Sequence, residues 1–418
     1  MASIFVSIAS YRDPELLPTI RDLLNNLSKE NTVKIIVGWQ HNPEDDWDTF
    51  GEFGDDKRFI WIDTDYRDSR GVCNIRHLIQ KGYQDEDYYL QLDSHHRFAK
   101  NWDKTLIKWV KSLQKKGHEK PVISTYLPQY FPNNDPQNRI QEVWIQNIDR
   151  FLPQGTAFLV PVTVHDHHKY KKPIPARFIS AHFIFTIGQF VKEVPYDPNL
   201  YFQGEESSLA ARAYTFGYDL FCPHRPIAWH EYHRDGKPKH WDDGKIWEEL
   251  DKTSYDRYRK LMGMDPGCTG CQRRSLAPDY FGKVRTFEQY ERYIGVKFKT
   301  RQIHKETKDN EFAPIKGDFE KGLSFVQKQT ISVYKPSIPL KDYTFFAVAL
   351  LDENYNDIHR EDATREEIYR LINENPSDHF IHMIREYVNE KRPYAWRVWP
   401  YSESQGWQDK IEQVIKYE

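Results

Sequence analysis

A hydrophobic segment of this chain ends in one acid and two histidines. Residues 88–92 are typical of a buried strand, and Asp93, His95 and His96 follow directly. Because strand side chains alternate between two faces, we expect Asp93 and His95 to point the same way. A carboxylate oxygen beside an imidazole nitrogen suits Mn²⁺, and Mg²⁺ or Zn²⁺ less well. This DXD-like pair predicts a metal site; the alternative is that Asp93 caps the next helix and the histidines are surface residues.

Strands and helices are predicted to alternate around this site. Apolar, β-branched runs predict strands that begin at Ile4, Val33 and Arg58, and helical spacing favours helices over 16–24 and 72–83. Such alternation predicts a mostly parallel sheet, in which ligands bind beyond the carboxyl ends of the strands. The polar residues after the first strand and those after residue 92 both lie at such ends, so one cleft could hold both.

Six segments add to this pattern. They are Ser7-Ile8-Ala9-Ser10-Tyr11-Arg12-Asp13, Arg70-Gly71-Val72-Cys73-Asn74-Ile75-Arg76, Gln91-Leu92-Asp93-Ser94-His95-His96-Arg97-Phe98 with Trp102-Asp103 behind it, Gly204-Glu205-Glu206, Trp229-His230-Glu231-Tyr232 and residues 285–295. In this order they resemble the cytoplasmic UDP-GlcNAc:hydroxyproline polypeptide N-acetylglucosaminyltransferases, over roughly the first three quarters of the chain. The resemblance implies a retaining glycosyltransferase of the GT-A fold, an α/β Rossmann-like mixed sheet flanked by helices.

The resemblance also implies a donor site for a UDP-sugar with Mn²⁺ or Mg²⁺. The opening loop would hold the uridine, Asp93 and His95 would bind the metal on the diphosphate, and His230 would complete the metal site. His233 competes with His230, and either one could instead be a histidine in a polar loop. The donor-binding residues so implied are Ser10, Tyr11, Arg12, Asp13, Arg70, Arg76, Asp93 and Ser94.

Two of these residues, Arg76 and Asp13, have structural alternatives. Arg70 and Arg76 could contact phosphate or sugar, but Arg76 could instead form a salt bridge on a helix face. Asp13 could contact the ribose, or it could cap the first helix by accepting hydrogen bonds from exposed N–H groups.

Two acids follow Gly204, where a helix is predicted to begin. The helix dipole favours acids there, which is a structural explanation for both. The resemblance to retaining GT-A enzymes implies that Glu205 or Glu206 positions the acceptor or the sugar, and both are catalytic candidates. In a front-face displacement the departing phosphate takes the acceptor proton, so no covalent nucleophile is needed.

The composition favours an intracellular enzyme. The chain has 418 residues, enough for one large and one small domain, and its net charge of -3 gives no general attraction to nucleic acid or anionic membranes. With four cysteines and a start that leads directly into the first strand, we expect a cytoplasmic protein without a signal peptide or disulfide framework. No apolar run reaches the length of a membrane span.

Cys268 and Cys271 have a spacing that occurs in zinc and redox sites. The other cysteines, Cys73 and Cys222, lie far away in predicted core segments, and no spaced histidine pair adjoins. We therefore expect a loop with two reduced thiols rather than a small metal site.

Two tryptophans stand out among the many aromatic residues, most of which we expect in the core. Trp39 follows the second strand, and Trp241 ends a histidine-rich segment, residues 231–241. This segment, which contains Gly236 and Pro238, is expected to be a mobile loop that closes over the donor.

The chain is predicted to have two domains joined by a connection. The highly charged residues 305–311 lack an apolar face and favour an exposed linker. The predicted parts are a catalytic domain at 1–300, a linker at 301–332 and a small α+β or β-sandwich-like domain at 333–418, with strands at 342–351 and 394–400 and a helix at 364–373. The small domain could bind acceptor, mediate homo-oligomerisation or buttress the enzyme.

The predicted function is transfer of a sugar, GlcNAc being favoured, from a UDP-sugar to a hydroxyl of a protein acceptor. One alternative is an enzyme that builds a polysaccharide or glycolipid from the same donor. Another is a noncatalytic sugar- or nucleotide-binding protein of the same fold. The joint presence of Asp93, His95 and His230 argues against this last reading, because binding alone does not require a metal set.

Overall fold

A computed structural model describes residues 1–234, 236–243, 246–264 and 279–417. Cys268 and Cys271 lie outside the described residues. The strands are β1 Ser3–Tyr11, β2 Thr32–His41, β3 Phe59–Asp65, β4 Tyr88–Asp93, β5 His96–Phe98, β6 Lys120–Ser124, β7 Trp144–Phe151, β8 Ala157–Thr163, β9 Ile174–Pro175, β10 Phe183–Ile187, β11 Tyr218–Cys222, β12 Ala228–His230, β13 Val296–Lys297, β14 Gln302–His304, β15 Leu323–Tyr334, β16 Tyr343–Leu351, β17 Asp357–Arg360, β18 Ala363–Thr364, β19 Phe380–Asn389, β20 Ala395–Ser402, β21 Gly406–Trp407 and β22 Ile411–Val414. The helices are α1 Leu16–Asn25, α2 Val72–Gln80, α3 Trp102–Gln114, α4 Phe190–Glu193, α5 Glu205–Thr215, α6 Ile246–Met262, α7 Phe287–Ile294, α8 Lys305–Lys308 and α9 Arg365–Glu374.

Eight strands form the central sheet, in the order β3-β2-β1-β4-β10-β6-β11-β9. The first four are parallel, as the alternation of strands and helices predicts, but β10 runs antiparallel between β4 and β6. The sheet is therefore mixed. The predicted α/β architecture, a large mixed sheet flanked by helices with a smaller β-containing region after it, is confirmed.

Both faces of the central sheet are buried. Seven consecutive residues of β1 are inaccessible, which explains its continuous apolar run. Their side chains alternate between two clusters: Phe5 packs with Ile79 of α2 on one face, while Ile4 packs with Ile20 of α1 on the other. Cys73 and Cys222 are buried free thiols in the first cluster, as predicted.

The sheet brings distant polar residues to one edge. In the register of β1 and β4, Ala9 lies beside Asp93, so the residue after each of them begins the same rim. A short antiparallel pair, β5 with β12, sets His96 opposite His230. Residues far apart in sequence are therefore held together by backbone hydrogen bonds at the carboxyl ends of the strands.

Two further sheets form the C-terminal region. One has the order β13-β14-β15-β19, the other is built on β17-β16-β20-β21, and a core that includes Ile331, Phe346 and Met383 lies between them. The strand over 343–351, the helix over 365–374 and the strand over 395–402 agree closely with the predicted elements.

The segment predicted to be a linker or extension contains regular secondary structure. Residues 301–332 contain β14, α8 and most of β15, and β14 pairs with β15 in one sheet. Hydrogen bonds that the composition does not predict hold the charged residues 305–311 against the rest of the protein. The Thr307 hydroxyl donates to the Ile294 carbonyl, and the Glu306 carboxylate accepts from the backbone N–H of Lys316 and Gly317.

Candidate active site

Asp93, His95 and His230 converge at the rim of the central sheet. Asp93 ends β4, His95 lies in the turn before β5, and His230 ends β12. Asp93 Oδ2 lies 4.0 Å from His95 Nε2 and 3.7 Å from His230 Nε2. These separations are too long for hydrogen bonds. They fit a shared cation, since two ligands of an ion about 2.1 Å from each lie roughly 3–4 Å apart.

His230 has the environment of a neutral ligand. Its side chain is buried, and neither ring nitrogen has a hydrogen-bond partner among the described residues. Burial lowers the pKa of His230 to about 4, so its lone pair is available at neutral pH. A buried polar atom without a partner is costly, and a cation would supply the missing partner.

Asp13 supports His95 from behind. Asp13 Oδ2 lies 2.7 Å from His95 Nδ1, accepts a 2.5 Å hydrogen bond from the Ser94 hydroxyl and pairs with Arg234 at 3.0 Å. Burial opposes ionisation, but His95 and Arg234 hold the pKa of Asp13 below its usual range. The Asp13 carboxylate and the Arg234 guanidinium both contact Nδ1 of His95, so this side of the ring is fixed and Nε2 faces Asp93.

Arg76 of α2 joins two carboxylates. Its guanidinium is buried and lies 2.5 Å from both Asp93 Oδ1 and Glu205 Oε1. Burial would raise the pKa of Asp93, but Arg76 and the neighbouring histidines hold it well below its usual range. Arg76 therefore occupies one oxygen of Asp93 and leaves the other facing His95 and His230.

Glu206 has a different environment from Glu205. Its carboxylate accepts hydrogen bonds of 2.9 Å from the Tyr126 hydroxyl and from the Ala181 N–H, and no cation pairs with it among the described residues. Burial raises the pKa of Glu206 to about 7. The Glu205 carboxylate forms an ion pair with Arg76, whereas Glu206 is partly exposed to solvent.

Two cavities meet at Asp93. One of about 380 Å³ extends over the end of β1 and residues 238–241, and the other, of about 280 Å³, extends over the start of α5. Asp93 lines both, together with Val72, Phe202 and Tyr232. An extended ligand could occupy both cavities, with a cation at the junction.

Comparison with known proteins decides the family. The family described as Glycosyltransferase (GlcNAc) matches residues 3–52 and 54–300. This chain belongs to that family. No curated protein sequence matches it. Asp93, His95, His230, Glu205 and Glu206 all fall within the range that the Glycosyltransferase (GlcNAc) family covers.

Solved structures give weaker similarities. GalNAc-T7 with UDP, GalNAc and Mn²⁺ has a TM-score of 0.44 at 15% identity, over 70% of this chain and 54% of that chain. S. aureus TarS 1-349 in complex with UDP-GlcNAc has 0.38 at 10% identity, over 69% and 72%. The mannosyltransferase PcManGT from Pyrobaculum calidifontis, with GDP-Man and Mn²⁺, has 0.35 at 10% identity, over 61% and 69%. At such low TM-scores these similarities decide nothing about the present chain.

Several residues implied by the family resemblance lie at the larger cavity. Ser10, Tyr11 and Ser94 line it, and Ser10 Oγ has no hydrogen-bond partner among the described residues. Arg12 lies behind the cavity, where its guanidinium pairs with Asp45 and Asp243.

Other predicted residues lie elsewhere. Asp13 is buried behind His95, as described above, and its second oxygen accepts from the Glu15 N–H just before α1. Arg70 is exposed and lines a separate hollow with Tyr201 and Arg257. The structure thus brings Arg76 to the triad but not Arg70.

The two alternatives for the third metal ligand are separated in space. His230 faces Asp93, whereas His233 is exposed and stacks on Phe131 with 5.3 Å between ring centroids. Of the two tryptophans, Trp39 is buried and donates to Asp48, and Trp241 lines the larger cavity.

Sequence reasoning missed the residues that support this site. Arg234 contacts both Asp13 and His95, the His182 ring stacks on His230 with 4.2 Å between centroids, and Tyr126 holds Glu206. Arg234 lies inside the histidine-rich segment, which was the only signal for it. His182 and Tyr126 lie in segments without a motif. Only the folded structure, in which distant strands pair, shows that they lie beside the site.

Among the described residues, no helix is both long and apolar enough to cross a membrane.

Proposed function

We propose that this chain is a metal-dependent, retaining glycosyltransferase that moves a sugar, GlcNAc being favoured, from a UDP-sugar to a hydroxyl of a protein. One observation carries the proposal: Asp93 stands between two cavities with His95 and His230 at distances suited to a shared cation. Membership of the Glycosyltransferase (GlcNAc) family supports the reaction class and the favoured sugar.

The donor set supports Mn²⁺ or Mg²⁺ as the cation. One carboxylate and two imidazoles can hold Mn²⁺, and the diphosphate of the donor would add the oxygen ligands that Mn²⁺ prefers. Asp93, His95 and His230 would hold it, and His230 offers a buried nitrogen that has no partner among the described residues. When bound, the ion supplies positive charge against the diphosphate leaving group.

The larger cavity suits the nucleotide. Tyr11 and Trp241 offer aromatic surfaces, the Ser10 hydroxyl has no hydrogen-bond partner in the described part of the chain, and Lys239 and Arg234 supply positive charge. Residues 238–241 form one wall, so their closure over a bound donor would exclude water from the sugar carbon.

The smaller cavity suits the sugar and the acceptor hydroxyl. As the acceptor oxygen bonds to the anomeric carbon, the bond to the diphosphate oxygen breaks and the acceptor proton passes to that oxygen. No side chain has to form a covalent intermediate. Glu205 pairs with Arg76 and so fixes the position of the guanidinium. Glu206 faces the cavity and accepts a hydrogen bond from a sugar or acceptor hydroxyl.

Nucleotide release from a panel of UDP- and GDP-sugars tests the proposal. We expect the purified protein to hydrolyse UDP-GlcNAc slowly with Mn²⁺ and not with EDTA, and Asp93→Asn to abolish this release. Asp63→Asn, which changes an exposed aspartate on β3, is the matched control and should keep it. No release and no metal-dependent nucleotide binding with every donor would overturn the proposal in favour of a noncatalytic protein.

Acceptor class needs a second measurement. With the donor established, transfer to hydroxyl-containing peptides is compared with transfer to oligosaccharides and glycolipids. Transfer to peptides supports the protein acceptor, and exclusive transfer to a glycan or lipid contradicts it.

A further inference from the structure

The strand β19 forms an unshielded edge of the C-terminal four-stranded sheet. It pairs with β15 in a regular antiparallel register over ten residues, Phe325↔Asn389 to Tyr334↔Phe380. In the described part of the chain no strand pairs with its other edge. Folded proteins usually protect such an edge with proline, lysine or a bulge. The sequence FIHMIREYVN contains no proline, glycine or lysine, and its pairing has no bulge.

The exposed face of β19 is apolar at both ends and in the middle. Phe380, Ile384 and Val388 are 41%, 58% and 53% exposed, whereas alternate residues such as Ile381 and Met383 are buried in the core. Exposure of three large apolar side chains in one row, beside open backbone groups, is typical of an interface.

This row is self-complementary about Ile384. In an antiparallel pairing of two copies centred on Ile384, Phe380 lies opposite Val388 of the second copy and Ile384 lies opposite itself. His382 then lies opposite Glu386, an imidazole against a carboxylate. Within one copy, His382 contacts Ser332 and Asp378, and Glu386 pairs with Lys328, so both side chains lie on the same exposed face as Ile384.

Neighbouring registers of this pairing place unlike or like-charged side chains opposite each other. Centring on Arg385 sets Ile384 opposite Glu386 and His382 opposite Val388, and centring on Glu386 sets two glutamates together. Only the register on Ile384 matches apolar with apolar and imidazole with carboxylate, and cross-strand pairs of these kinds stabilise antiparallel pairing.

We propose that β19 is a homodimer interface, in which two copies of this chain pair their β19 strands antiparallel about Ile384. The four-stranded sheet then continues across a two-fold axis. A two-fold interface requires one patch to fit itself, which the row from Phe380 to Val388 does and which an unrelated partner strand would not require. The inference is independent of the proposed catalytic activity.

Charge at the axis tests the pairing. Sedimentation velocity of the full chain over roughly 1–100 μM, a range that detects micromolar dissociation constants, should show a monomer–dimer equilibrium. Ile384→Lys sets two ammonium groups opposite each other and should weaken the dimer about tenfold or more. Thr330→Lys is the matched control, since Thr330 is the exposed β15 partner of Ile384, one strand inside the edge. It should leave the dimer intact, and equal weakening by both variants would overturn edge pairing in favour of face-to-face packing.

A charge exchange tests the register. His382→Glu sets glutamates opposite each other and should weaken the dimer, and adding Glu386→His to it should restore the dimer. Circular dichroism and thermal melting establish that each variant is folded.

A cysteine at the axis provides a measurement that does not depend on affinity. Opposed residues of an antiparallel pair have Cα atoms about 4.5–5.5 Å apart, within the range of a disulfide. Ile384→Cys should therefore crosslink two chains under mild oxidation, whereas Thr330→Cys and the unmodified protein should not. A monomer at every concentration, together with no crosslink from Ile384→Cys, would overturn the proposal.

Discussion

Asp13 Oδ2 lies 2.7 Å from His95 Nδ1, so a residue in the loop after the first strand of the chain fixes the orientation of a histidine that follows the fourth strand. The Arg234 guanidinium lies 3.0 Å from the same oxygen and balances its charge. A carboxylate behind a metal-binding histidine fixes the ring orientation and raises its basicity. The opening loop therefore contacts both His95, a proposed metal ligand, and the larger cavity, the proposed donor site.

Asp13→Asn should weaken metal binding without removing any proposed ligand. The amide cannot match the charge that orients His95, and loss of such a partner typically lowers metal affinity about 10–100-fold. Titration of Mn²⁺ followed by electron paramagnetic resonance gives the dissociation constant. Asp103→Asn is the control, because Asp103 is another buried aspartate that accepts hydrogen bonds, from Ser28 and Asn31, away from this site. Unchanged Mn²⁺ affinity in folded Asp13→Asn would contradict the supporting role.

Replacement of two neighbouring histidines by alanine should separate the ligand from the bystander. His230→Ala removes a buried nitrogen 3.7 Å from Asp93 and should abolish measurable Mn²⁺ binding and donor turnover. His233→Ala changes an exposed ring on Phe131 and should leave both within about twofold of the parent protein. Isothermal titration with Mn²⁺ measures the first quantity and nucleotide release the second. The reverse order of effects would make His233 the ligand.

The sequence predicted the early strands because their burial is two-sided and therefore visible as continuous apolar runs. The first strand, expected to begin at Ile4, begins at Ser3, and the helix expected over 16–24 spans 16–25. Asp93 and His95 were visible for the same reason, since they follow directly after such a run. The central sheet was less predictable, because β10 enters it antiparallel and no local pattern specifies which strands pair.

The features that could not be predicted from the sequence depend on contacts between residues far apart in the chain. Asp13 was expected to meet ribose or cap a helix. Its Oδ1 accepts from the Glu15 N–H just before α1, but its Oδ2 contacts His95, 82 residues away, which no local pattern predicts. The charged residues 305–311 were expected to be an exposed linker, yet Thr307 is buried because its hydroxyl reaches Ile294. Such hydrogen bonds depend on the whole topology rather than on composition.

Any side chain at position 204 should lower the free energy of unfolding. Its φ of +88° favours glycine, and a Cβ there would lie 2.5 Å from Tyr258 Cδ2, so Gly204→Ala has both backbone strain and a clash at the start of α5. Gly236→Ala is the control, because Gly236 has φ +74° but no heavy atom of the described residues within 4 Å of that Cβ. We expect a loss of unfolding free energy of about 1 kcal/mol for Gly236→Ala and at least about 2–3 kcal/mol for Gly204→Ala. Urea denaturation measures both, and equal losses would show that the Tyr258 contact relaxes.

Glu206 should make the stability of the protein depend on pH near neutrality. Burial raises the pKa of its carboxyl from 4.5 to about 7, so the folded protein binds this proton more tightly than the unfolded chain does. The contribution of Glu206 to the free energy of unfolding is therefore fully present below pH 4.5 and is lost as the pH rises through about 7. Glu206→Gln stays neutral and avoids this loss.

The unfolding free energy of Glu206→Gln relative to the parent protein should accordingly rise between about pH 5 and 7, by on the order of 1–3 kcal/mol, and then level off. Urea denaturation followed by tryptophan fluorescence, at several pH values across this range, gives the difference. Other titrating groups are common to both proteins and cancel in it. Glu288→Gln, on the exposed face of α7, controls for the substitution itself. A difference that is constant with pH would mean that Glu206 is already ionised in the folded protein at pH 5, because the Tyr126 hydroxyl and the Ala181 N–H then outweigh its burial.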